Sequence, residues 1–151
     1  MCIKSIFNLR FFSRKIPTWK DTAPWIPPIN GGHVIKVYDG DTITIAAKLP
    51  YRNSKLYRWS VRLSGIDTPE IKSKDEKLKN FATEARDDLR SKIMNKLIKI
   101  EKVSIEKYGR LLATVICNGE NMNEYMLNKW ALPYDGSTKL TEAEQIRKLG
   151  I

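Results

Sequence analysis

The hydrophobic period of this chain changes twice between His33 and Cys117, which restricts the fold to a small sheet combined with helices. Thr42 to Ala47 alternates, with Ile43, Ile45 and Ala47 on one side and Thr42, Thr44 and Ala46 on the other. Trp59, Val61, Leu63 and Gly65 then share one face, and Arg58, Ser60, Arg62 and Ser64 the other. Period two predicts strands and projects Arg62 away from the core. From Phe81 the spacing lengthens: Phe81, Ala85, Leu89, Ile93 and Leu97 recur every four residues, with Ala82 and Met94 beside them, an amphipathic helix. Ile98 to Val103 returns to a strand pattern, and Leu111 to Cys117 is nearly all apolar, predicting a central, buried strand.

The intervening residues agree. Asp39-Gly40 is a turn dipeptide after a short β-branched stretch from His33 to Tyr38. Leu49 to Lys55 is a loop, as is the charged run Lys72 to Lys79. Asn121 is placed to cap a second helix, with Glu124 three residues on and Met122, Tyr125, Met126 and Trp130 as its inward face. Leu140 to Leu149 predicts a short third helix. The result is a mainly β, α+β chain. Five strands with a helix between the third and fourth, and two to three helices in all, is the plan of the OB-fold barrel, often used to bind nucleic acid.

The 151 residues suit one domain, residues 31–151, preceded by a basic tail and Pro-rich linker, residues 1–30. Of the net charge of +10, the first 30 residues carry +4. An excess this large favours a polyanionic partner, although it also serves solubility. The tail is broken by Arg10, making a poor secretory signal, and no apolar run approaches a membrane span. Its basic character is compatible with organelle targeting, contact with a membrane surface or a frayed arm. Cys2 and Cys117 give neither a disulfide framework nor a zinc pair, so the compartment stays open. With no apolar stripe left over, a monomer without a protein partner is expected.

Histidine chemistry is close to excluded, since His33 is the only histidine and sits at a strand start beside two glycines. Neither a nucleophile elbow nor a phosphate loop is present. Acid and base work falls to carboxylates and arginines. Asp39-Gly40-Asp41-Thr42 and Asp67-Thr68-Pro69-Glu70 offer hard oxygen ligands suited to a cation such as calcium, but Ile43 stands where an EF-hand loop needs an oxygen. Each cluster alone also reads as an ordinary turn, Arg62 as a surface residue, and Lys107-Tyr108-Gly109-Arg110 as a basic turn.

Together, Val37–Thr42, Val61–Glu70 and Lys107–Arg110 resemble three segments of the staphylococcal nuclease homologues, over about residues 31 to 135. The resemblance implies that Asp41 and Asp67 hold one calcium ion (Ca2+) with their side chains and Thr68 with its main-chain carbonyl. It implies that Glu70 is the general base, that Arg62 and Arg110 hold the scissile phosphate, that Lys107 and Tyr108 lie near a terminal phosphate, and that Asp39 is a supporting acid. It further implies hydrolysis of DNA and RNA with single strands preferred, leaving 3′-phosphate ends. The stretch Lys48 to Tyr57 is longer than the family's hairpin and basic, extending a nucleic-acid track. Two other readings stand beside the nuclease: an inactive OB-fold module that only binds nucleic acid, and a basic membrane-surface protein. A retired site should have lost some of Asp41, Asp67, Glu70, Arg62 and Arg110, and all five are present.

Overall fold

The computed structural model describes residues 16–151, and expectations for the tail before residue 16, Cys2 included, lie outside them. Among these residues a 3-10 turn, Trp19–Asp21, precedes the strands β1 (Gly31–Val37), β2 (Thr42–Lys48), β3 (Leu56–Leu63) and the two-residue β4 (Ile66–Asp67). Helix α1 (Glu76–Ile93) follows, then β5 (Leu97–Ile105), β6 (Leu111–Cys117), the short β7 (Glu120–Asn121), α2 (Met122–Lys129), the short β8 (Leu132–Pro133) and α3 (Glu142–Leu149).

The sheet runs β3-β2-β1-β5-β6 and closes on itself by a parallel pairing of β3 with β6, Arg62 opposite Leu112. The described residues thus form a five-stranded OB-type barrel, mainly β, with three α-helices. Closure leaves no free barrel edge and turns one face of every strand inward. Val34, Ile43, Ile45, Val61, Leu63, Ala113 and Val115 are all fully buried there. Gly31 lies so close to β5 that a Cβ would meet the Ile98 carbonyl oxygen at 2.1 Å. Of the stretch read as a linker, Pro27 is buried and the Asn30 carbonyl accepts from Ile100 N at 2.9 Å.

The first helix begins earlier than the four-residue spacing indicates. Asp75 accepts from the amides of Lys77 and Leu78, so half of the run Lys72 to Lys79 is helical rather than loop. Its buried stripe is Leu78, Ala82, Ala85, Leu89 and Ile93. Phe81 sits beside that stripe with its ring edge on Trp130, 5.1 Å between centroids. Leu97 belongs to β5 and is exposed, because the helix stops at Ile93 and the chain reverses at Asn95 with φ of 61°. β6 is central, as expected, but alternates: Leu111, Ala113, Val115 and Cys117 are buried and the residues between them only half so.

Two polar ties fix the helices, one joining α2 to the barrel and the other joining α1 to α2. Asn121 caps α2 through Asn123 N and Glu124 N. Buried Asn123 accepts from Val115 N and donates to the carbonyls of Ser64 and Ala113, pinning the chain after β3. Asp88 Oδ2 on α1 accepts from Tyr125 Oη, Lys129 Nζ and Trp130 Nε1 at 2.8, 2.8 and 2.5 Å. Burial pushes the Asp88 carboxyl up, but the three donors outweigh it and hold it below the usual range. Asp88→Asn is therefore expected to cost about 2 kcal/mol in urea unfolding at pH 7. Because the folded carboxyl is depressed, that contribution is present above the unfolded value near ~3.9 and fades as pH falls through the folded one. The mutant and wild-type curves should converge in acid.

Candidate active site

The turn between β1 and β2 carries the first acidic cluster. Gly40 lets it press against the chain after β4, since a Cβ there would meet Thr68 Cγ2 at 2.8 Å and Thr68 Oγ1 at 3.1 Å. Asp41, only 2% exposed, accepts from Thr68 N with Oδ2 at 3.0 Å and from Thr42 Oγ1 with Oδ1 at 2.8 Å. Asp67 is fixed by the pairing of β4 with β8, where it stands opposite Leu132. Two acidic segments 26 residues apart in the chain are thus bonded directly to one another.

Arg62 joins them. Nη1 donates to Asp41 Oδ1 at 2.6 Å, and Nη2 to Asp67 Oδ1 at 2.7 Å and to the Ile66 carbonyl at 3.3 Å. The strand alternation puts Arg62 on the face opposite Val61 and Leu63, but the residue is buried rather than projecting into solvent. The β4–β8 pairing and the Tyr134 ring, 5.8 Å from the guanidinium, cover that face. Two of its five N–H groups bond to no described residue. Burial works against its charge, but Asp41 and Asp67 more than compensate.

Around this group lie two adjoining clefts of about 990 and 380 Å³, both lined by Arg62, Tyr108, Arg110 and Lys139. The smaller also takes in Asp39, Asp41, Thr68 and Glu70, and the larger takes in Lys107 and Tyr134. Every residue singled out in the sequence therefore borders the clefts or, for Asp67, bonds to a residue that does. Glu70 is exposed and bonded to Lys139 Nζ at 2.8 Å. That contact holds its carboxyl below the usual range. Arg110 pairs with Glu106 across a tight turn, and its guanidinium and the Lys107 ammonium lie 6.0 and 5.0 Å from the exposed Tyr108 ring.

Lys139, Tyr134 and Glu106 were not assigned from sequence. Glu106 had a signal, since it stands four residues before Arg110 around Gly109. Lys139 had none: the chain reaches Glu70 and Asp67 (3.6 Å) only because β8 carries it across the barrel mouth.

The donor chemistry suits a hard cation. Asp41 and Asp67 each present a carboxylate oxygen to the same guanidinium, and Thr68 Oγ1 is a buried polar atom without a hydrogen-bond partner among the described residues. No cage of three or more His, Cys, Asp or Glu exists among those residues, so water would have to complete the shell. Burial raises the Asp67 carboxyl, with Lys139 and Arg62 opposing it. Burial and the neighbouring Asp41 raise Asp39 to about 7.

The closed OB-type barrel thus gathers acids and arginines beside two adjoining clefts. The profile of the staphylococcal nuclease homologues matches residues 60–148, and the chain belongs to that family. It is 33% identical over 91 residues to a staphylococcal-like nuclease of Arabidopsis thaliana, covering 58% of this chain and 26% of that protein. It is 32% identical over 93 residues to a thermonuclease of Staphylococcus hyicus, covering 60% and 51%. It is 32% identical over 99 residues to a probable endonuclease of Schizosaccharomyces pombe, covering 56% and 43%. The chain thus spans from about a quarter to about half the length of these relatives. No helix among the described residues is long and apolar enough to cross a membrane.

Proposed function

We propose that this chain is a calcium-dependent nuclease that hydrolyses phosphodiester bonds in DNA and RNA, preferring single strands and acting as a monomer. The observation that supports it most is the gathering of Asp41, Asp67 and Arg62 into one bonded group beside Glu70 and Arg110.

In this reading Asp41, Asp67 and the Thr68 carbonyl would hold the ion, which when bound supplies positive charge at the attacked phosphate. Arg62 and Arg110 grip the phosphate oxygens, and their planar forks stabilise the extra negative charge of five-coordinate phosphorus. Glu70 orients a water molecule and accepts its proton as the oxygen attacks, and the bond from phosphorus to the 5′-oxygen breaks, leaving a 3′-phosphate and a 5′-hydroxyl that takes its proton from water. Lys107 and Tyr108 steer a flanking phosphate and base. Asp39 backs the acidic turn through the bond from Asp41 N at 3.3 Å.

The test is digestion of single-stranded DNA with calcium, with magnesium and with chelator. Wild type should act with calcium and stop with chelator. Arg110→Ala should lose about a hundredfold or more in kcat/KM, because half of the guanidinium grip is gone. Cleavage indifferent to chelator, or full activity in Arg110→Ala, would leave only a nucleic-acid-binding barrel.

A further inference from the structure

The end of the β2–β3 ribbon remote from the acidic cluster carries a chain of four aromatic rings. Trp59 is anchored by Nε1 donating to the Ala47 carbonyl at 3.2 Å. Trp25 lies against it at 6.1 Å and Tyr57 sets an edge on it at 5.9 Å, centroid to centroid. The Tyr51 and Tyr57 hydroxyls are 3.4 Å apart. Of these rings only Trp59 packs against the core; Trp25 is 61% exposed and Tyr51 56%. Large aromatic surface left in water marks a contact site.

The charge around it selects the ligand. From Thr42 to Ile66 the chain has five basic residues, Lys48, Arg52, Lys55, Arg58 and Arg62, and no acidic one. The first four are exposed and make no ion pair among the described residues. Planar rings flanked by unpaired cations match a strand whose bases stack and whose phosphates are neutralised. The patch and the clefts lie along one strand, with Tyr57 leaving β3 on the face opposite Arg62. β3 leads from Tyr57 to Arg62, about 17 Å at ~3.3 Å per residue, a distance a few nucleotides span.

We propose that Trp25, Tyr51 and Tyr57, with Arg52 and Lys55, form a second binding site for single-stranded nucleic acid, distal to the phosphate clefts. It holds the strand that extends beyond the bound phosphate, so long strands bind better than short ones. The inference rests on the nuclease reading only for where the strand enters. Its test uses binding alone, so the two can fail separately.

Fluorescence anisotropy with labelled thymidine oligonucleotides, in chelator, measures it on the full chain. A trinucleotide and a strand of about 15 nucleotides are compared in wild type, in Trp25→Ala/Tyr51→Ala and in Arg52→Glu/Lys55→Glu. Each double variant should weaken the long strand by about tenfold or more and leave the trinucleotide unchanged. The charge variant should also flatten the salt dependence of long-strand binding. Arg52 and Lys55 are exposed, so their variant keeps the fold and serves if the Trp25 variant does not. Unchanged long-strand affinity in the charge variant would overturn the proposal. So would retained long-strand affinity with lost binding to phosphatidylserine vesicles, which would make the patch a membrane contact. Wild type that cleaves nothing but shows this length dependence would refute the nuclease and leave the second site standing.

Discussion

Arg62→Ala is expected to cost about 3–5 kcal/mol of folding stability and to remove nearly all cleavage. The stability loss follows from what the guanidinium neutralises. Asp41 and Asp67 are 2% and 6% exposed, and without Arg62 two carboxylates face one another with Lys139, at 3.6 Å from Asp67, as the remaining cation. Uncompensated buried charge is among the most destabilising changes a substitution makes. The cleavage loss follows from the phosphate grip proposed for Arg62. Urea denaturation and kcat/KM separate the two effects. Calcium should stabilise Arg62→Ala more than it stabilises wild type, because a cation would then take over the neutralisation of both acids. Equal calcium effects in the two proteins would show that Asp41 and Asp67 are not the cation's ligands.

Glu70→Gln is expected to lower kcat by about 10²–10⁴-fold with little change in stability. Glutamine keeps the shape and a hydrogen-bonding oxygen but cannot take a proton from water. Because Glu70 is exposed, its substitution does not disturb the core, so a rate loss reads the chemistry. The Lys139 ammonium depresses the Glu70 carboxyl and should place the acidic limb of the pH–rate profile low. A base works while deprotonated and fails as pH falls through its pKa. Lys139→Met should therefore move that limb to higher pH. A limb that stays in place in Lys139→Met, or full rate in Glu70→Gln, would assign the base elsewhere.

Much of the site was legible because its residues sit at strand ends that the hydrophobic period already marks. Asp41 lies in the first turn, Arg62 and Asp67 bracket the end of the third strand, and Arg110 immediately precedes β6. Burial of Arg62 was not legible. Alternation reports which face a side chain leaves on, whereas what covers that face comes from β8, about 70 residues later. The start of the first helix was missed for a different reason. Asp75 caps through its side chain, and a charged run before an apolar stripe looks like loop until that bond is seen.

The sequence by itself determined the local periods, hence five strands, the long helix and the residue types able to do phosphate chemistry. Local steric and solvation preferences are written residue by residue. Only the tertiary structure decided that Lys139 meets Glu70, that Arg62 spans two acids, and that four aromatic rings collect at the far end of one ribbon. Those contacts depend on barrel closure and strand register, which place distant residues within hydrogen-bonding reach and which no local pattern encodes.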